Sequence, residues 1–578
     1  MNINVIDANN AVAHITSNTL SDNREIHHFA AYFDRKTVPD RIVLSFYISC
    51  CNTFSTWSPD AGMKRVLGAD FNYHKNTSRL ASGAPIKSII DINGNNVLTV
   101  ALSDAMTPTS IETGVHEETA EIEIKITLFT QPVNELEDYR VDIITDMRSI
   151  PCSECITDIV NWWREDCGYR PAKGNETVIS PMYSTWYSFH QKITSDSLIE
   201  QCMLAKELGM NAIIIDDGWQ TDDNSRGYKF CGDWQPAETK IPDMKELVKK
   251  IHDIGMKVIL WYSVPFVGTK SEEYKKLSDY AVNTIIENTI TLDPRFPKVR
   301  EFLINTYKNA VEKWDIDGFK LDFIDYIQLE KDAPVFREGW DIRSLEGAID
   351  TMLSDITKEL SKIKSGLCIE FRQTYIGPTV CRYGNMLRVE DCGADALHQR
   401  VSMVDLRLTS GNTAVHSDML MWNYNDTCEG AALQILNAFF TVWQISVLLD
   451  KIPPEHKKML RFYLSLWKSY REVILEGKIS FKNPELCYTQ VSVMKDGTAI
   501  TAVYGDNVVD TPVDRELIVL NATGKNYMIL KSDMPQQLSA CVYSCEGCKV
   551  REYDFISDGI TLINIPKSGC VKLKGGKI

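Results

Sequence analysis

The first 165 residues alternate apolar and polar positions in short runs. Two such runs are 41–49 (RIVLSFYIS) and 97–102, and a third, 121–129 (EIEIKITLF), has nearly strict period two. Turn residues such as Asn93-Gly94 separate the runs. Alternation with period two is typical of strands that bury one face, so the pattern predicts an N-terminal β-sandwich over residues 1–165.

The pattern then changes to apolar strand-like runs that alternate with amphipathic helical stretches. Such alternation over roughly 300 residues predicts one (β/α)8 barrel, which we assign to residues 166–475. A doubly wound parallel sheet is the alternative, but no G-x-G-x-x-G follows any of the runs, so the usual dinucleotide-binding fingerprint is missing. The predicted strands are 179–187, 212–216, 257–261, 318–323, 367–371, 386–390, 413–417 and 444–449.

Strand-like runs return from about residue 478, among them ISFKN, YTQVSVM, AITAVYG and ELIVLNA. They predict a C-terminal antiparallel β-sandwich over residues 476–578. The fold class is therefore α/β, with a (β/α)8 barrel between two β domains.

Charge and hydropathy narrow the classes of partner. The 578 residues carry 62 basic and 78 acidic side chains, a formal net charge of −16. Such a surface repels phosphate backbones and anionic membranes, which argues against nucleic acid as a partner. No uninterrupted apolar stretch of about 18 residues predicts a membrane span. The N-terminus lacks a basic region followed by an apolar one, so we predict a cytoplasmic protein, unless a signal peptide has been trimmed.

The 16 cysteines are scattered and often lie inside apolar runs, which favours reduced, buried thiols. Two C-x-x-C pairs occur, at Cys152/Cys155 and Cys545/Cys548, but they are far apart and no H-x-x-x-H follows either. We therefore predict no metal site and no cofactor.

Carboxylates follow several of the predicted barrel strands, at the end where (β/α)8 enzymes gather their active sites. Asp216 and Asp217 follow the second strand, Asp322 ends the fourth, and Asp391 follows the sixth. Each has a structural alternative, because an aspartate after a strand often caps the next helix. Four tryptophans accompany them, and each can equally be core packing: Trp186, Trp219, Trp234 and Trp261. Carboxylates that accept hydroxyl hydrogen bonds, together with indole faces, suit a neutral polyhydroxylated ligand.

Hydrolysis of a glycoside by the common route needs two carboxyl groups, about 5–5.5 Å apart for retention and about 6.5–9.5 Å apart for inversion. Asp322 and Asp391, on the fourth and sixth strands, are the candidate pair. Lys320 lies two residues before Asp322 and points to the same side of its strand, so its charge favours an ionised Asp322.

Several stretches are similar to glycoside hydrolase family 36, the α-galactosidase family, and more loosely to its melibiase-type relatives. They are AIIIDDGWQ, CGDWQPAETKIPDMKELVKKIHDIGMKVILW, DGFKLDFID, RVEDCGADA and AALQILNAFFTVWQISVLLDKIPPEHKKMLRFYLSLW, in the family's order over residues 180–475. The resemblance implies a retaining exo-α-glycosidase that acts on an oligosaccharide or another glycoside. It makes Asp322 the nucleophile and Asp391 the general acid/base, and it assigns the 4- and 6-hydroxyls of galactose to Asp216 and Asp217. The other residues it implies in substrate binding are Trp186, Trp219, Trp234, Trp261, Lys320, Arg372 and Arg388.

The sequence departs from the family pattern at two positions. An acidic E-P-E-like run after the third-strand tryptophan is replaced by YSVP at 262–265, and the C-S-G-G-G-R loop by EFRQTY at 370–375. Because the second loop helps to read position 2 of the sugar, an α-N-acetylgalactosaminidase, another α-glycosidase and a transglycosidase stay open as alternatives.

Two other classes of protein also stay open. An enolase-type barrel enzyme would hold a divalent cation with Glu370, Asp391 and Asp322, although this leaves the tryptophans unexplained. A sugar-binding protein without activity would keep the subsites, although it leaves the Asp322/Asp391 pair unexplained. The resemblance also suggests a homo-oligomer.

Overall fold

The computed structural model describes residues 1–330, 333–334, 336–372, 374–511 and 515–576. Its N-terminal part is a sandwich of two antiparallel sheets, with strand orders β1-β4-β10-β9-β6 and β2-β3-β11-β8-β7-β5. The strands are β1 (Asn4–Asp7), β2 (Ala11–Ser21), β3 (Arg24–Thr37), β4 (Ile42–Ser49), β5 (Ser55–Trp57), β6 (His74–Ser78), β7 (Ile86–Ile90), β8 (Asn96–Leu102), β9 (Thr109–His116), β10 (Glu121–Leu128) and β11 (Leu136–Asp146).

The two N-terminal sheets share one apolar core. Alternate residues of a strand point to the same face, so Leu44 and Phe46 of β4 and Ile124 of β10 reach the core from one sheet. Val100 of β8 and Ile143 of β11 reach it from the other. The period-two runs of the sequence are the strands that build this core.

Eight parallel strands close into a barrel in the order β12-β13-β14-β18-β19-β20-β21-β22. The barrel predicted from the sequence is therefore confirmed. A three-stranded antiparallel sheet, β15-β17-β16, lies between β14 and β18 in the chain. The strands are β12 (Met182–Ser184), β13 (Ala212–Ile215), β14 (Lys257–Ser263), β15 (Phe266–Gly268), β16 (Ala281–Asn283), β17 (Thr289–Leu292), β18 (Gly318–Asp322), β19 (Cys368–Arg372), β20 (Met386–Arg388), β21 (Ala414–Leu420) and β22 (Val442–Ile445).

Helices follow the barrel strands and pack around them. The helices are α1 (Cys152–Glu165), α2 (Trp186–Phe189), α3 (Ser195–Glu207), α4 (Met244–Ile254), α5 (Tyr274–Leu277), α6 (Pro297–Trp314), α7 (Leu345–Ile363), α8 (Ala396–Thr409), α9 (Cys428–Asn437), α10 (Pro454–Ser469) and α11 (Arg471–Glu476). Helix α4 shows why its sequence is helical. The side chain of Asp243 accepts a hydrogen bond from the backbone N–H of Glu246 at its start, and Gly255 ends it with a left-handed φ of 85°.

The C-terminal strands form one connected eight-stranded sheet, mostly antiparallel, in the order β23-β24-β25-β27-β30-β28-β26 with β29 paired to β28. Two neighbouring pairs, β25·β27 and β26·β28, are parallel. The strands are β23 (Lys478–Lys482), β24 (Gln490–Lys495), β25 (Thr498–Val503), β26 (Val508–Asp510), β27 (Glu516–Asn521), β28 (Tyr527–Tyr543), β29 (Lys549–Asn564) and β30 (Cys570–Gly576).

One buried carboxylate joins the three parts of the chain. Asp405 of α8 accepts hydrogen bonds from Trp57 Nε1 at 2.9 Å and from Arg65 Nη2 at 2.6 Å, both in the N-terminal sandwich. It also accepts one from the hydroxyl of Tyr488 at the start of the C-terminal sheet. Breaking a buried pair of this kind is strongly destabilising, so this contact fixes the sandwich against the barrel.

Among the described residues, no helix is both long and apolar enough to cross a bilayer.

Candidate active site

Two neighbouring barrel strands bring four charged side chains into the barrel mouth. Strands β18 and β19 are parallel, and Lys320 is the register partner of Glu370. Alternate residues of a strand share a face, so Asp322 lies one layer above Lys320, and Arg372 one layer above Glu370. The carboxyl ends of the strands therefore present charges of both signs in two layers.

Asp322, in the upper layer, accepts hydrogen bonds from three donors. Trp261 Nε1 donates to its Oδ2 at 3.0 Å, and the backbone N–H of Phe323 donates to its Oδ1 at 3.0 Å. Arg372 Nε also donates to Oδ1. Burial alone would raise the pKa of Asp322, but the positive charges of Arg372, Lys320 and Arg388 outweigh it and hold this pKa below its ordinary value. Asp322 is therefore a buried anion.

Lys320 pairs with a different carboxylate from the one that its sequence position suggests. Its ammonium donates to Oδ2 of Asp216 at 2.6 Å, and both side chains are 4% exposed. The lysine acts on Asp322 through its charge, without a hydrogen bond that the structure shows. Burial opposes the charged form of Lys320, but the carboxylates of Asp216, Asp322 and Glu370 raise its pKa.

Asp217 points into the loops beside β13. Gln191 Nε2 donates to its Oδ2 at 2.8 Å, and Gln220 Nε2 donates to its Oδ1 at 2.6 Å. Burial raises the pKa of Asp217 to about 6, and the negative charge of Asp216 acts in the same direction. The two consecutive aspartates therefore have different environments: Asp216 has a cation, and Asp217 has two neutral amides.

A second cluster surrounds Arg388, which is 1% exposed at the end of β20. Its Nη2 lies 2.8 Å from Oδ1 of Asp391, and its Nη1 lies 2.7 Å from Oδ1 of Asp418. The hydroxyl of Tyr187 and the backbone N–H of Cys392 donate to Oδ2 of Asp418 at 2.8 and 2.7 Å. One buried guanidinium thus fixes both carboxylates on this side of the mouth.

The charge state of Asp391 bears directly on its expected role. The Arg388 guanidinium is the main reason that the pKa of Asp391 falls to about 2. The side chain of Asp391 is 62% exposed, so solvent screens the pair. A general acid must carry a proton when the leaving group departs. In the free protein Asp391 is an anion at neutral pH, and it fits the acid role only if a bound substrate raises its pKa.

Below this upper layer, Glu370 lies in a fully buried chain of polar groups. Gln444 Nε2 donates to Oε2 of Glu370 and lies 3.4 Å from Nδ1 of His416. His416 Nε2 lies 2.8 Å from the carbonyl oxygen of Val178, so the ring donates through Nε2 and accepts at Nδ1. Burial raises the pKa of Glu370 from its ordinary 4.5 to about 7, despite the nearby charges of Lys320 and Arg388.

The raised pKa of Glu370 predicts a pH-dependent stability. Above about pH 4.5 the carboxyl of Glu370 loses its proton in the unfolded state but keeps it in the folded state. The contribution of Glu370 to the free energy of unfolding is therefore full below about pH 4.5 and is lost as the pH rises through about 7. We expect Glu370→Gln to remove up to about 3 kcal/mol of this dependence. The melting temperature of the wild type, relative to that of Glu370→Gln, should fall between pH 5 and pH 8. A difference that does not change with pH would contradict the assignment.

The tryptophans divide into two groups. Trp261 is at the site, bonded to Asp322 and stacked on Tyr228 with ring centroids 6.2 Å apart. Trp186 begins the short helix α2 that follows β12, is partly exposed, and has the guanidinium of Arg226 5.8 Å from its ring centroid.

Trp219 and Trp234 lie in the packing behind Trp261. Trp219 is fully buried, packs edge-on against Trp314 of α6, and donates from Nε1 to the carbonyl oxygen of Trp261. Trp234 is 5% exposed and packs on Trp219, Trp261 and Tyr262. The structural alternative considered for tryptophan therefore describes Trp219, which offers no ring face to a ligand.

No role for Asp418 follows from the sequence motifs, and Tyr228 was missed from the sequence. Asp418 directly follows the predicted strand 413–417, as other carboxylates follow theirs, and in the structure it lies within β21. Tyr228 lies between Trp261 and Phe323, with its ring centroid 5.0 Å from that of Phe323. It comes from the loop between β13 and α4, where no periodic pattern marks a position, so the sequence carries no sign of it.

Two carboxylates close to Asp391 in the chain, Asp395 and Glu390, have structural partners. The side chain of Asp395 caps α8 by accepting from the backbone N–H groups of Leu397 and His398. Glu390 lies 3.3 Å from His398 Nε2.

Within the described parts of the chain, the one cluster of three side chains spaced to hold a metal ion is Asp70, His116 and Glu118 in the N-terminal sandwich. The enolase-type ligand set of Glu370, Asp391 and Asp322 does not form such a cluster. Gln373, in the loop that departs from the family pattern, lies outside the described residues.

Comparison with known proteins gives a consistent family. Residues 175–359 match the Melibiase family model. A bifunctional α-galactosidase/sucrose kinase from Mediterraneibacter gnavus is 27% identical over 151 residues, which are 24% of this chain and 16% of that protein. The α-galactosidase AgaA of Geobacillus stearothermophilus is 25% identical over 152 residues, 24% of this chain and 20% of that protein. The matched segment therefore spans a fifth or less of these relatives.

Solved structures extend the likeness to the whole fold. The galactosidase domain of the α-galactosidase–sucrose kinase superposes with a TM-score of 0.67 at 14% identity, over 98% of this chain and 80% of that chain. The family 36 α-galactosidase AgaA superposes with a TM-score of 0.66 at 14% identity, over 96% and 80%. The chain has the fold of these family 36 α-galactosidases and matches the Melibiase family model over part of its barrel. The family 36 fold accounts for the flanking sheets as well as the barrel, and the sequence motifs lie in the part that the family model matches.

Proposed function

We propose that this chain is a retaining exo-α-glycosidase that hydrolyses terminal α-galactosides, with Asp322 as nucleophile. The observation that carries the proposal is the state of Asp322: a buried carboxylate at the end of β18, kept ionised by Arg372, Lys320 and Arg388. A nucleophile needs an ionised oxygen that is positioned and shielded from water. A structural ion pair would need Arg372 alone. The further charges of Lys320 and Arg388 and the indole donor of Trp261 are explained by a carboxylate that must stay ionised.

The hydrogen bonds indicate which oxygen attacks. Oδ1 of Asp322 accepts from both Arg372 and the backbone N–H of Phe323, whereas Oδ2 accepts from Trp261. We assign the attack to Oδ2, because fewer of these three donors occupy it. In the first step this oxygen bonds to the anomeric carbon while the glycosidic C–O bond breaks and Asp391 gives its proton to the departing oxygen. In the second step Asp391 takes a proton from water, the water oxygen attacks, and Asp322 leaves.

The proposed substrate class follows from the hydrogen-bonding groups at the site. The carboxylates of Asp216 and Asp217 and the amides beside Asp217 suit sugar hydroxyls. The choice of galactose as the sugar comes from the relatives. Solved structures of Geobacillus stearothermophilus AgaA variants hold raffinose and stachyose. They support an oligosaccharide with a terminal α-galactosyl group as the substrate proposed here.

Asp216 and Asp217 should differ in their effect on sugar preference. Asp216 lies in the barrel interior with Lys320, whereas both oxygens of Asp217 are already bonded to loop amides. We expect Asp216→Asn to lower the preference for 4-nitrophenyl α-galactoside over the α-glucoside by roughly ten- to hundredfold, because the charged acceptor aimed at the axial 4-hydroxyl is lost. We expect Asp217→Asn to change that preference less than threefold, or roughly 0.6 kcal/mol. The ratio of kcat/KM values measures both, and equal losses would contradict the division of roles.

A panel of 4-nitrophenyl α-glycosides tests the proposed function itself. The panel should include the galactoside, the glucoside and the 2-acetamido-2-deoxygalactoside, because Arg372 stands where the family's loop reads position 2. We expect the galactoside to have the highest kcat/KM, with the α-anomer of the sugar as first product in the NMR spectrum. Release of the β-anomer would exclude retention. Preference for the 2-acetamido sugar would favour the α-N-acetylgalactosaminidase alternative, and full activity in excess chelator would exclude the metal-dependent, enolase-type alternative.

A further inference from the structure

Two cysteine thiols from distant parts of the chain are in contact. Sγ of Cys545 lies 3.6 Å from Sγ of Cys428, although 117 positions separate the two residues in the sequence. Cys428 is the first residue of α9, which belongs to the barrel, and Cys545 lies in the turn between β28 and β29 of the C-terminal sheet. The contact therefore spans the boundary between the barrel and the C-terminal sheet.

The local backbone fixes each cysteine at its position. The side chain of Thr427 caps α9 by accepting a backbone N–H of the first turn at 3.1 Å, which places Cys428 at the first helical position. On the other side, the backbone N–H of Ser544 donates to the carbonyl oxygen of Cys548 at 2.9 Å and closes the turn that carries Cys545. Both thiols thus belong to hydrogen-bonded segments.

The turn of Cys545 is packed closely against the barrel helices. Gly547 of this turn has a φ of 82°, and a Cβ at this position would lie 2.6 Å from a ring carbon of Phe462 in α10. Only a glycine permits this approach and this φ without strain. The hydroxyl of Ser568 donates to the carbonyl oxygen of Glu429, in the first turn of α9, at 2.8 Å. The interface therefore holds the two sulfur atoms close together in the folded protein.

The two thiols differ in access and in acidity. Cys428 is partly exposed, whereas Cys545 is 4% exposed. The hydrogen bond between the two sulfur atoms favours a thiolate on Cys545 and lowers the pKa of this thiol, although burial opposes the change. A small oxidant therefore reaches Cys428 first, and Cys545 stands beside it as a nucleophile.

We propose that Cys428 and Cys545 form an oxidation site, at which a peroxide converts the two thiols into a disulfide that ties α9 to the C-terminal sheet. In the first step the sulfur of Cys428 attacks one peroxide oxygen, the O–O bond breaks, and the departing hydroxide takes the thiol proton and leaves as water. In the second step the thiolate of Cys545 attacks the sulfur of this sulfenic acid. The S–O bond breaks, and the hydroxide leaves as water with the proton that Cys545 had released. Two thiols are oxidised, and one peroxide is reduced to two waters.

The geometry requires only a short approach of the two sulfur atoms. A disulfide bond is about 2.05 Å long, so the sulfur atoms must move roughly 1.5 Å closer than in the contact. The C-x-x-C spacing alone would instead suggest Cys548 as the partner of Cys545. Cys548 is exposed, and in the structure the sulfur of Cys545 contacts that of Cys428. In a reducing compartment the pair stays as thiols, and oxidising conditions close the bond.

Peptide mapping of the whole chain after treatment with hydrogen peroxide tests the proposal. Remaining thiols are alkylated, the protein is digested without reductant, and linked peptides are identified by mass spectrometry. We expect one main cross-link, which joins residues 428 and 545 and disappears with dithiothreitol. Because this bond closes a loop across 117 residues and restrains the unfolded chain, oxidation should raise the melting temperature by about 5 °C.

Three serine variants make the test specific. Cys428→Ser and Cys545→Ser should lose both the cross-link and the shift in melting temperature. Cys548→Ser is the matched control, because it removes the other cysteine of the C-x-x-C motif, and it should keep both. Each oxidised variant is compared with its own reduced form, so that a loss of stability from the substitution itself does not enter the comparison. Since Cys428 is partly exposed, Cys428→Ser decides the test if Cys545→Ser does not fold.

Three results would overturn the assignment. The first is a main product that joins Cys545 to Cys548, or to any cysteine other than Cys428. The second is the absence of a cross-link, with Cys428 left as a thiol or oxidised to sulfinic acid. The third is a rise in melting temperature on oxidation that persists in Cys428→Ser, because another oxidation product would then be its cause.

Discussion

Asp322→Ala is expected to lower kcat by roughly 10⁴-fold or more on every α-galactoside, because no covalent glycosyl-enzyme forms without the nucleophile. The substitution also removes the acceptor for Trp261 Nε1 and the anionic partner of Arg372. Removing one carboxylate partner from a buried guanidinium is destabilising, so the melting temperature should fall as well, although Arg372 keeps its contact with Asp325. Steady-state kinetics with 4-nitrophenyl α-galactoside measures the first effect, and thermal unfolding measures the second.

Rescue by a small anion distinguishes lost chemistry from lost folding. Azide can occupy the space that the carboxylate leaves, beside Arg372, and attack the anomeric carbon to give the inverted β-galactosyl azide. We expect this product from Asp322→Ala and none from wild type under the same conditions. Asp325→Asn is the matched control, because Asp325 contacts Arg372 from the other side and should keep a turnover far above that of Asp322→Ala. Activity of Asp322→Ala within tenfold of wild type would show that the nucleophile lies elsewhere.

The barrel was predictable because its signals are local. Each strand is a short apolar run followed by a helix with a buried face, and the right-handed crossover between parallel strands leaves few alternatives. The same reasoning placed Asp216, Asp322 and Asp391 at one rim, since the carboxyl ends of barrel strands converge. The spacing of Lys320 and Asp322 predicted that both point to the same side of their strand, which is a matter of period two alone.

What the sequence did not show are the partners that the closed barrel brings together. Arg372 follows β19 and meets Asp322 of β18 only because the two strands are neighbours, 50 residues apart in the chain. The choice of Asp216 as the bonded partner of Lys320, 104 residues away, has the same origin. Trp219 illustrates the opposite limit: its sequence position suggests the mouth, but the turn at Gly218, with φ of 116°, directs it to the packing against Trp314.

Conflicting charge requirements meet at Asp391, the carboxylate proposed as the general acid/base. Asp391 must be protonated to assist departure of a sugar leaving group, yet Arg388 holds it as an anion in the free protein. A substrate that covers its exposed side would displace the water that solvates this anion, and desolvation raises the pKa of a carboxyl. The fixed guanidinium of Arg388, already shared with Asp418, keeps Asp391 in place during both protonation states.

Asp391→Asn should therefore separate substrates by leaving group. For melibiose, whose leaving oxygen is strongly basic, we expect kcat/KM to fall by roughly 10²- to 10⁴-fold. For 2,4-dinitrophenyl α-galactoside, which departs without a proton, the fall should be less than tenfold, or about 1.4 kcal/mol. Wild-type kcat for melibiose, which reports pKa values in the enzyme–substrate complex, should decrease as pH rises because the protonated acid is depleted, and this decrease should be absent from the variant. Glu390→Gln is the matched control. Glu390 directly precedes Asp391 in the chain, but its carboxylate pairs with His398, so this variant should not separate the two substrates. Equal losses of Asp391→Asn on both substrates would remove Asp391 from the acid role, and the exposed carboxylate beside Arg388 would then serve to orient the sugar.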